Sequence, residues 1–219
     1  KGRAYIAAYR YMREHDFKPY IYRTDNYGES WTLLTDGKNG IPNDFPTRVV
    51  REDPKQQGLL YAGTEFGIYI SFDNGAHWQP FNRNMPIMPI NDIRIHRGDL
   101  VVATQGRAAW IMDNITPLQE LARIATGTAT ASTATGRQFI GAITGEQSKL
   151  PAVALFPPRE AIRMRNAGAA ASAQNPEYPT MGAQFDLYFA SAPGADTKLE
   201  VLDAKGGALR TWTVGAPAT

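Results

Sequence analysis

The sequence predicts an all-β chain of stacked four-stranded units, and three observations predict it. Short runs rich in β-branched and aromatic residues alternate with polar or Gly-containing breaks through the first 115 residues. One turn sequence recurs, as "TDNYGESWTLL" (24–34) and "SFDNGAHWQPF" (71–81), with its tryptophans 47 residues apart (78 − 31). Helical periodicity is nearly absent. The period falls among the ~40–50 residues that a four-stranded propeller blade needs. Such a sheet cannot bury both of its faces alone, and stacking on neighbours solves this.

The elements follow in order. "AYIAAYRY" (4–11), "YIYRT" (20–24) and "WTLLT" (31–35) read as strands of a first unit. "TRVVRED" (47–53), "GLLYAGT" (58–64), "GIYIS" (67–71) and "WQPF" (78–81) repeat the order in a second. "INDIRIH" (90–96), "DLVVAT" (99–104) and "AAWIMD" (108–113) supply a third. Between them, "REHDFKPY" (13–20) reads as a charged connecting loop and "NRNMPIMPI" (82–90) as an extended connection whose methionines pack or make adaptable contacts. "TPLQELARI" (116–124) is the one helix candidate, with Thr116 as cap and Pro117 in the first turn. Residues 1–123 are therefore expected to form a partial β-propeller of about two and a half four-stranded blades.

Composition shifts after that. Residues 124–152 open with "IATGTATASTATG" and read as a flexible linker. Residues 153–165 read as a strand or extended link, demoted from a central position by Pro157 and Pro158. Residues 166–181 form a second linker, and 182–219 the start of an incomplete β-sandwich. In that tail Phe185, Leu187 and Phe189 alternate onto one side, as do Leu199 and Val201, and "DAKGG" (203–207) offers a hairpin turn.

Bulk properties exclude several functions. A net charge of +2 creates no field to gather nucleic acid or an anionic membrane, and no run approaches the ~18 apolar residues of a membrane span. The absence of Cys removes disulfides, thiol catalysis and zinc–thiolate sites. His15, His77 and His96 are too widely spaced to suggest a metal cluster. No phosphate-cradling Gly loop or nucleophile elbow follows a strand, so no cofactor is expected.

The repeated turn has a structural reading in its own chemistry. Asp73 can accept hydrogen bonds from the turn's amides, Gly75 supplies a positive φ, Ser71 and His77 flank the hairpin, and Trp78 packs between sheets. The earlier copy keeps Thr24, Gly28, Ser30 and Trp31 but carries Asn26 in place of Asp73. Asn retains the acceptor oxygen without the charge. A catalytic carboxylate does not survive that exchange, whereas a turn-closing acceptor does.

These stretches resemble the Asp box, S-x-D-x-G-x-T/S-W, of sialidase-like and sortilin-like β-propellers. "RVVREDP" (48–54), "LLYAGTEFGIYISFDNGAHWQPF" (59–81) and "DLVVATQGRAAWIMDNITPL" (99–118) look like the closing blades of bacterial proteins with sortilin-type, BNR-like repeats, often labelled glycosyl hydrolases. "GAQFDLYFASAPGADTKLEVLDAKGGALRTW" (182–212) resembles the strand-rich, fibronectin-like tail of that group. His77 departs from the box's usual Thr or Ser, which is expected to weaken the turn's hydrogen bonding. The resemblance implies a larger propeller of which this is a C-terminal fragment, a partner segment or second chain covering its exposed sheets, and export from the cell.

Candidate sites follow from the same reading. Glu65 in "GTEFG" and Arg107 in "TQGRAAW" are expected to line one mouth of the propeller and grip an anionic or sugar ligand. Asp92 and Asp113 are the other carboxylates outside the box that a two-carboxylate glycosidase would draw on. The sialidase arrangement, a Tyr–Glu pair with three Arg, is echoed weakly by Tyr5, Tyr9, Tyr11, Tyr20 and Tyr22 with Arg10, Arg13 and Arg23. No F/Y-R-I-P segment accompanies them, and these tyrosines fit strand alternation. The leading expectation is a non-catalytic binding or scaffolding piece recognising a protein, peptide or glycan. Its rivals are part of a secreted exo-glycosidase with its catalytic residues mostly elsewhere, and a purely structural module.

Overall fold

The computed structural model describes residues 2–125, 153–161 and 182–214. Among the described residues, fourteen strands and two short helices make an all-β fold, with every sheet antiparallel. The first sheet joins β1 (Ala4–Arg10), β2 (Asp16–Thr24) and β3 (Thr32–Leu33). The second joins β4 (Thr47–Glu52), β5 (Leu60–Thr64), β6 (Gly67–Ser71) and β7 (Gln79–Pro80). The third joins β8 (Ile90–His96), β9 (Asp99–Thr104) and β10 (Ala109–Met112).

The second sheet is the centre of the molecule, buried on both faces. Alternate side chains along its strands point opposite ways. Val49, Tyr61, Ile68 and Ile70 face the third sheet and pack with Ile90, Ile93, Leu100 and Val102. Val50, Leu60, Ala62 and Tyr69 face the first sheet and pack with Ile21, Leu34 and Ile41. All residues of β5 and β6 are buried, which is why "LLYAG" and "GIYIS" lack polar alternation. Tyr61 carries the largest of the fully buried side chains, and burial pushes its phenol pKa well upward.

One backbone contact recurs in all three sheets and fixes their common register. The amides of Tyr27, Asn74 and Ile115 donate to the carbonyls of Gly2, Gly58 and Gly98, at 2.9, 3.0 and 2.8 Å. Asn26, Asp73 and Asn114 are therefore equivalent, as are Thr24, Ser71 and Met112. The third copy has lost its hydroxyl at Met112, and the chain leaves the hairpin pattern there. It enters α2 (Thr116–Ala125) instead of a fourth strand. The capping oxygen belongs to Asn114 Oδ1, which accepts from Thr116 N at 3.3 Å, so Thr116 sits within the first turn and is not the cap expected from its hydroxyl. α2 folds back onto the core through Leu118 and Ala122, and Gln119 Nε2 donates to both oxygens of buried Asp53 at 3.0 Å.

Two further findings concern the ends. "REHDFKPY" is not a loop: α1 (Tyr11–Glu14) forms one turn, His15 takes a left-handed φ of 52°, and Asp16 starts β2. In the tail, β11 (Val153–Leu155) pairs with β12 (Leu187–Phe189), while β13 (Lys198–Leu202) pairs with β14 (Ala208–Thr213). Among the described residues the tail strands thus form two separate two-stranded ribbons. Asp203 Oδ1 accepts from Lys205 N and Gly207 N at 2.8 Å and closes the "DAKGG" hairpin. Asn114 Nδ2 donates to Asp186 Oδ2 at 2.9 Å and Arg159 pairs with Asp99, tying the first ribbon to the third sheet. The linkers read at 124–152 and 166–181 lie, apart from the end of α2, outside the described residues.

Candidate functional site

The two box hairpins carry matching hydrogen-bond networks. In the first, Thr24 Oγ1 donates to Asn26 Oδ1 at 2.9 Å and accepts from Gly28 N at 2.9 Å, while Ser30 N donates to Asn26 Oδ1 at 3.0 Å. In the second, Ser71 Oγ donates to Asp73 Oδ1 at 2.9 Å and accepts from Gly75 N at 2.9 Å, while His77 N donates to Asp73 Oδ1 at 2.9 Å. The remaining side-chain atom of the acidic position is also used. Asn26 Nδ2 donates to Ser30 Oγ at 2.9 Å, and His77 Nδ1 donates to Asp73 Oδ2 at 2.6 Å. His77 thus supplies the bond that Ser30 makes in the other copy, and the turn is not weakened by the exchange as its chemistry suggested. Both Asx side chains point into their own turns.

A groove opens at the opposite end of the sheets, where the β1–β2 and β5–β6 connections meet. Its volume is about 510 Å³, and its walls include Tyr11, Phe17, Pro46, Phe66, Ile87 and Met88, with Glu65 at one side. α1 carries Tyr11 to this position, and the start of β2 adds Phe17, stacked on Tyr11 at 5.8 Å between centroids. Phe66 is held by Phe45 at 4.5 Å. Glu65 N donates to Pro46 O at 3.0 Å and fixes the turn. Ile87 and Met88 come from the "NRNMPIMPI" connection, whose sequence pointed to packing or adaptable contact.

Glu65 is the polar centre of the groove. Its Oε1 accepts from Tyr11 Oη at 2.7 Å and from Arg48 Nε at 2.6 Å. Arg48 continues to Asn91 Oδ1 at 2.7 Å, which braces the second sheet against the third. The bond to the Glu65 carboxylate raises the Tyr11 phenol pKa first of all, and it likewise raises that of the Arg48 guanidinium. Tyr11 is among the tyrosines that echo a Tyr–Glu pair, but its pairing with Glu65, like that of Arg48, escapes sequence reading because the partners lie 54 and 17 residues from Glu65. No local pattern links them.

The other expected residues do not join this site. The recurring backbone bond from Glu65 N to Pro46 O has its counterpart in Gln105 N to Pro89 O, at 3.0 and 2.9 Å. Gln105, not Arg107, is the equivalent of Glu65, because each directly follows the matched threonine, Thr64 or Thr104, and Arg107 lies two residues further along. Arg107 is exposed, and its carbonyl accepts from Trp110 Nε1 at 3.2 Å. Asp92 sits at a β-bulge and accepts from Arg51 Nη2 at 2.6 Å and Ile93 N at 2.9 Å. Asp113 is exposed at the box end of β10, a strand's length from the Glu65 end, on the order of 15 Å away. Glu65, Asp92 and Asp113 therefore do not form a facing pair. Among the described residues, no three His, Asp or Glu side chains converge as metal ligands, and no helix is long and apolar enough to cross a membrane.

No protein-family model matches the chain, and no curated protein matches it.

Proposed function

We propose that the chain is a non-catalytic binding portion of an Asp-box β-propeller, and that its ligand is a peptide whose apolar side chain enters the Glu65 groove. The observation that carries this reading is the groove itself: aromatic and aliphatic walls around one carboxylate already held by a tyrosine and an arginine. A wall of Phe17, Phe66, Ile87 and Met88 suits an apolar anchor better than a hydroxyl-rich sugar. The Glu65–Arg48 pair offers a peptide N–H or a basic side chain an acceptor fixed in place.

The propeller part of the proposal is supported by three successive antiparallel sheets stacked face to face, and by the shared hairpin network of its first two. Its remaining blades, in the parent polypeptide or a second chain, would cover the face of the first sheet that carries Trp31 and Leu33. Export from the cell belongs to the same proposal and rests on the Asp-box resemblance alone. The glycosidase reading has less support, because a hydrolase needs two carboxylates about 5–10 Å apart. Here the candidates are paired with arginines or stand at opposite sheet ends.

Peptide and glycan arrays probed with the chain test the proposal. Binding to peptides with an aromatic or aliphatic anchor is expected, weakened by roughly tenfold in Phe66→Ala and in Glu65→Gln and unchanged in Arg107→Ala. Binding confined to glycans, or indifferent to Phe66→Ala, overturns it.

A further inference from the structure

Among the described residues, the third sheet stops one strand short of the second. In the second sheet β7 lies outside β6 through Ile70↔Gln79 and Tyr69↔Pro80, and Phe81 N donates to Ile68 O at 2.8 Å. β3 does the same for β2, through Tyr22↔Leu33 and a bond from Leu34 N to Ile21 O at 2.8 Å. Among the described residues, the third sheet ends at β10, which pairs with β9 alone. The common register makes Trp110, Ile111 and Met112 the counterparts of Tyr69, Ile70 and Ser71. Antiparallel bonds alternate in direction, and Thr104 N is bonded to Ala108 O. The Ile111 N–H and C=O and the Ala109 C=O therefore point outward, and they have no hydrogen-bond partner among the described residues. Ile111 is 62% exposed.

Beside this edge lies a second cavity of about 690 Å³, between the outer parts of the second and third sheets. Ile68, Phe81, Met85, Leu100, Val102 and Trp110 line it. Ile68, Leu100 and Val102 also belong to the core between those sheets, so the cavity continues an interface the fold already makes. In the preceding interface Trp78 occupies the corresponding place. Cross-strand neighbours share a face, and Trp78 stands opposite Ser71 with its ring turned, like Tyr69, toward the first sheet. A strand laid on β10 at the same offset puts its tryptophan opposite Met112, facing the cavity.

We propose that the β10 edge accepts a fourth strand donated in trans: an extended polypeptide segment of the pattern Trp–polar–any–apolar. Its backbone pairs with Ala109 and Ile111, and its indole fills the cavity. The pattern is that of the chain's own outer strands, "WTLL" (31–34) and "WQPF" (78–81). Main-chain bonds along a sheet edge supply affinity in this mode, and the side-chain cavity supplies selectivity. The surface is distinct from the Glu65 groove.

The probe is a labelled peptide of residues 28–36, GESWTLLTD, titrated with the full 219-residue chain by fluorescence polarisation. Saturable binding is expected. The Trp31→Ala peptide should bind roughly tenfold or more weakly. In the protein, Ile111→Pro removes the outward N–H and should weaken binding similarly. Met85→Trp fills the cavity and should do the same with an unchanged circular dichroism spectrum, which keeps the test decisive if the proline variant unfolds. Absence of binding at millimolar chain, equal binding of both peptides, or binding that survives Met85→Trp overturns the proposal. So does sedimentation showing a dimer abolished by Met85→Trp, since a second copy would then be the occupant.

Discussion

The hairpin ending in Trp31 and the hairpin ending in Trp78 are near copies in sequence and in hydrogen bonding, yet their tryptophans meet different fates. Each indole folds back over the glycine of its own turn, within van der Waals reach of where a Cβ on Gly28 or Gly75 would stand. Trp78 is nevertheless 3% exposed and Trp31 42%. The difference comes from the neighbour. Leu34 of the first sheet lies against the second hairpin, and Trp78 Nε1 donates to Leu34 O at 3.3 Å. The loop after β3 completes the cover: Trp78 N donates to Asn39 O at 2.7 Å, and Gly40 lies against the Trp78 carbonyl. No described residues cover Trp31 in this way. A local motif sets a local geometry, and burial depends on what stacks beyond it.

Truncation should separate the two copies most sharply. Trp78→Ala is expected to cost about 3–5 kcal/mol in chemical denaturation, and Trp31→Ala about 1 kcal/mol. Equal losses would break the comparison. Gly40→Ala comes next. A Cβ there, at a φ of +117°, would stand 1.8 Å from the Trp78 carbonyl oxygen, whereas one on Gly28 meets nothing closer than 3.7 Å. Gly40→Ala should cost about 2–3 kcal/mol and Gly28→Ala about 1 kcal/mol, both read from melting curves.

Exchanging the acceptors gives a smaller effect. Asp73→Asn and Asn26→Asp each keep the Oδ1 acceptor that closes the turn. Each should shift stability by less than about 1 kcal/mol, while Asp73→Ala, which strips every side-chain bond at that position, should cost about 1–3 kcal/mol. A loss in Asp73→Asn as large as in Asp73→Ala would show that charge, not the acceptor, holds the hairpin.

The smallest effect concerns pH. The amides of Lys38, then Asn39, hold the Asp36 carboxyl below its ordinary value of 3.8 and shape the loop over Trp78. A depressed folded-state value means stabilisation that is present above about pH 4 and lost as the pH falls through the folded value. Asp36→Asn should therefore melt lower than wild type at neutral pH, and the gap should close below about pH 4. A gap that widens in acid would reverse the sign and exclude this account.

Much of the fold was legible because it rests on short-range chemistry. Glycine and Asx positions marked the box turns, β-branched and aromatic runs marked the strands, and Asp203 with Gly206 marked the last hairpin. The box network itself could be anticipated, since all its donors and acceptors lie within a seven-residue window. What failed were longer inferences. Glu65 and Arg107 sit at similar places in the string, but the backbone register matches Glu65 with Gln105 and leaves Arg107 two residues beyond it. His77 departs from the usual residue, yet an imidazole reaches the carboxylate as a hydroxyl would. The Leu187–Phe189 strand finds its partner 34 residues upstream (187 − 153), across a segment whose composition gives no pairing signal.

By itself, then, the amino-acid order determined the turns, the strand alternation and the repeated unit, because each is settled among residues a few positions apart. Tertiary structure alone decided which tryptophan is buried, which arginine meets Glu65, and that the helix after β10 folds back onto the core with Gln119 on Asp53. Those outcomes depend on surfaces brought together from distant parts of the chain, where stacking of one sheet on the next, rather than any local preference, carries the free energy.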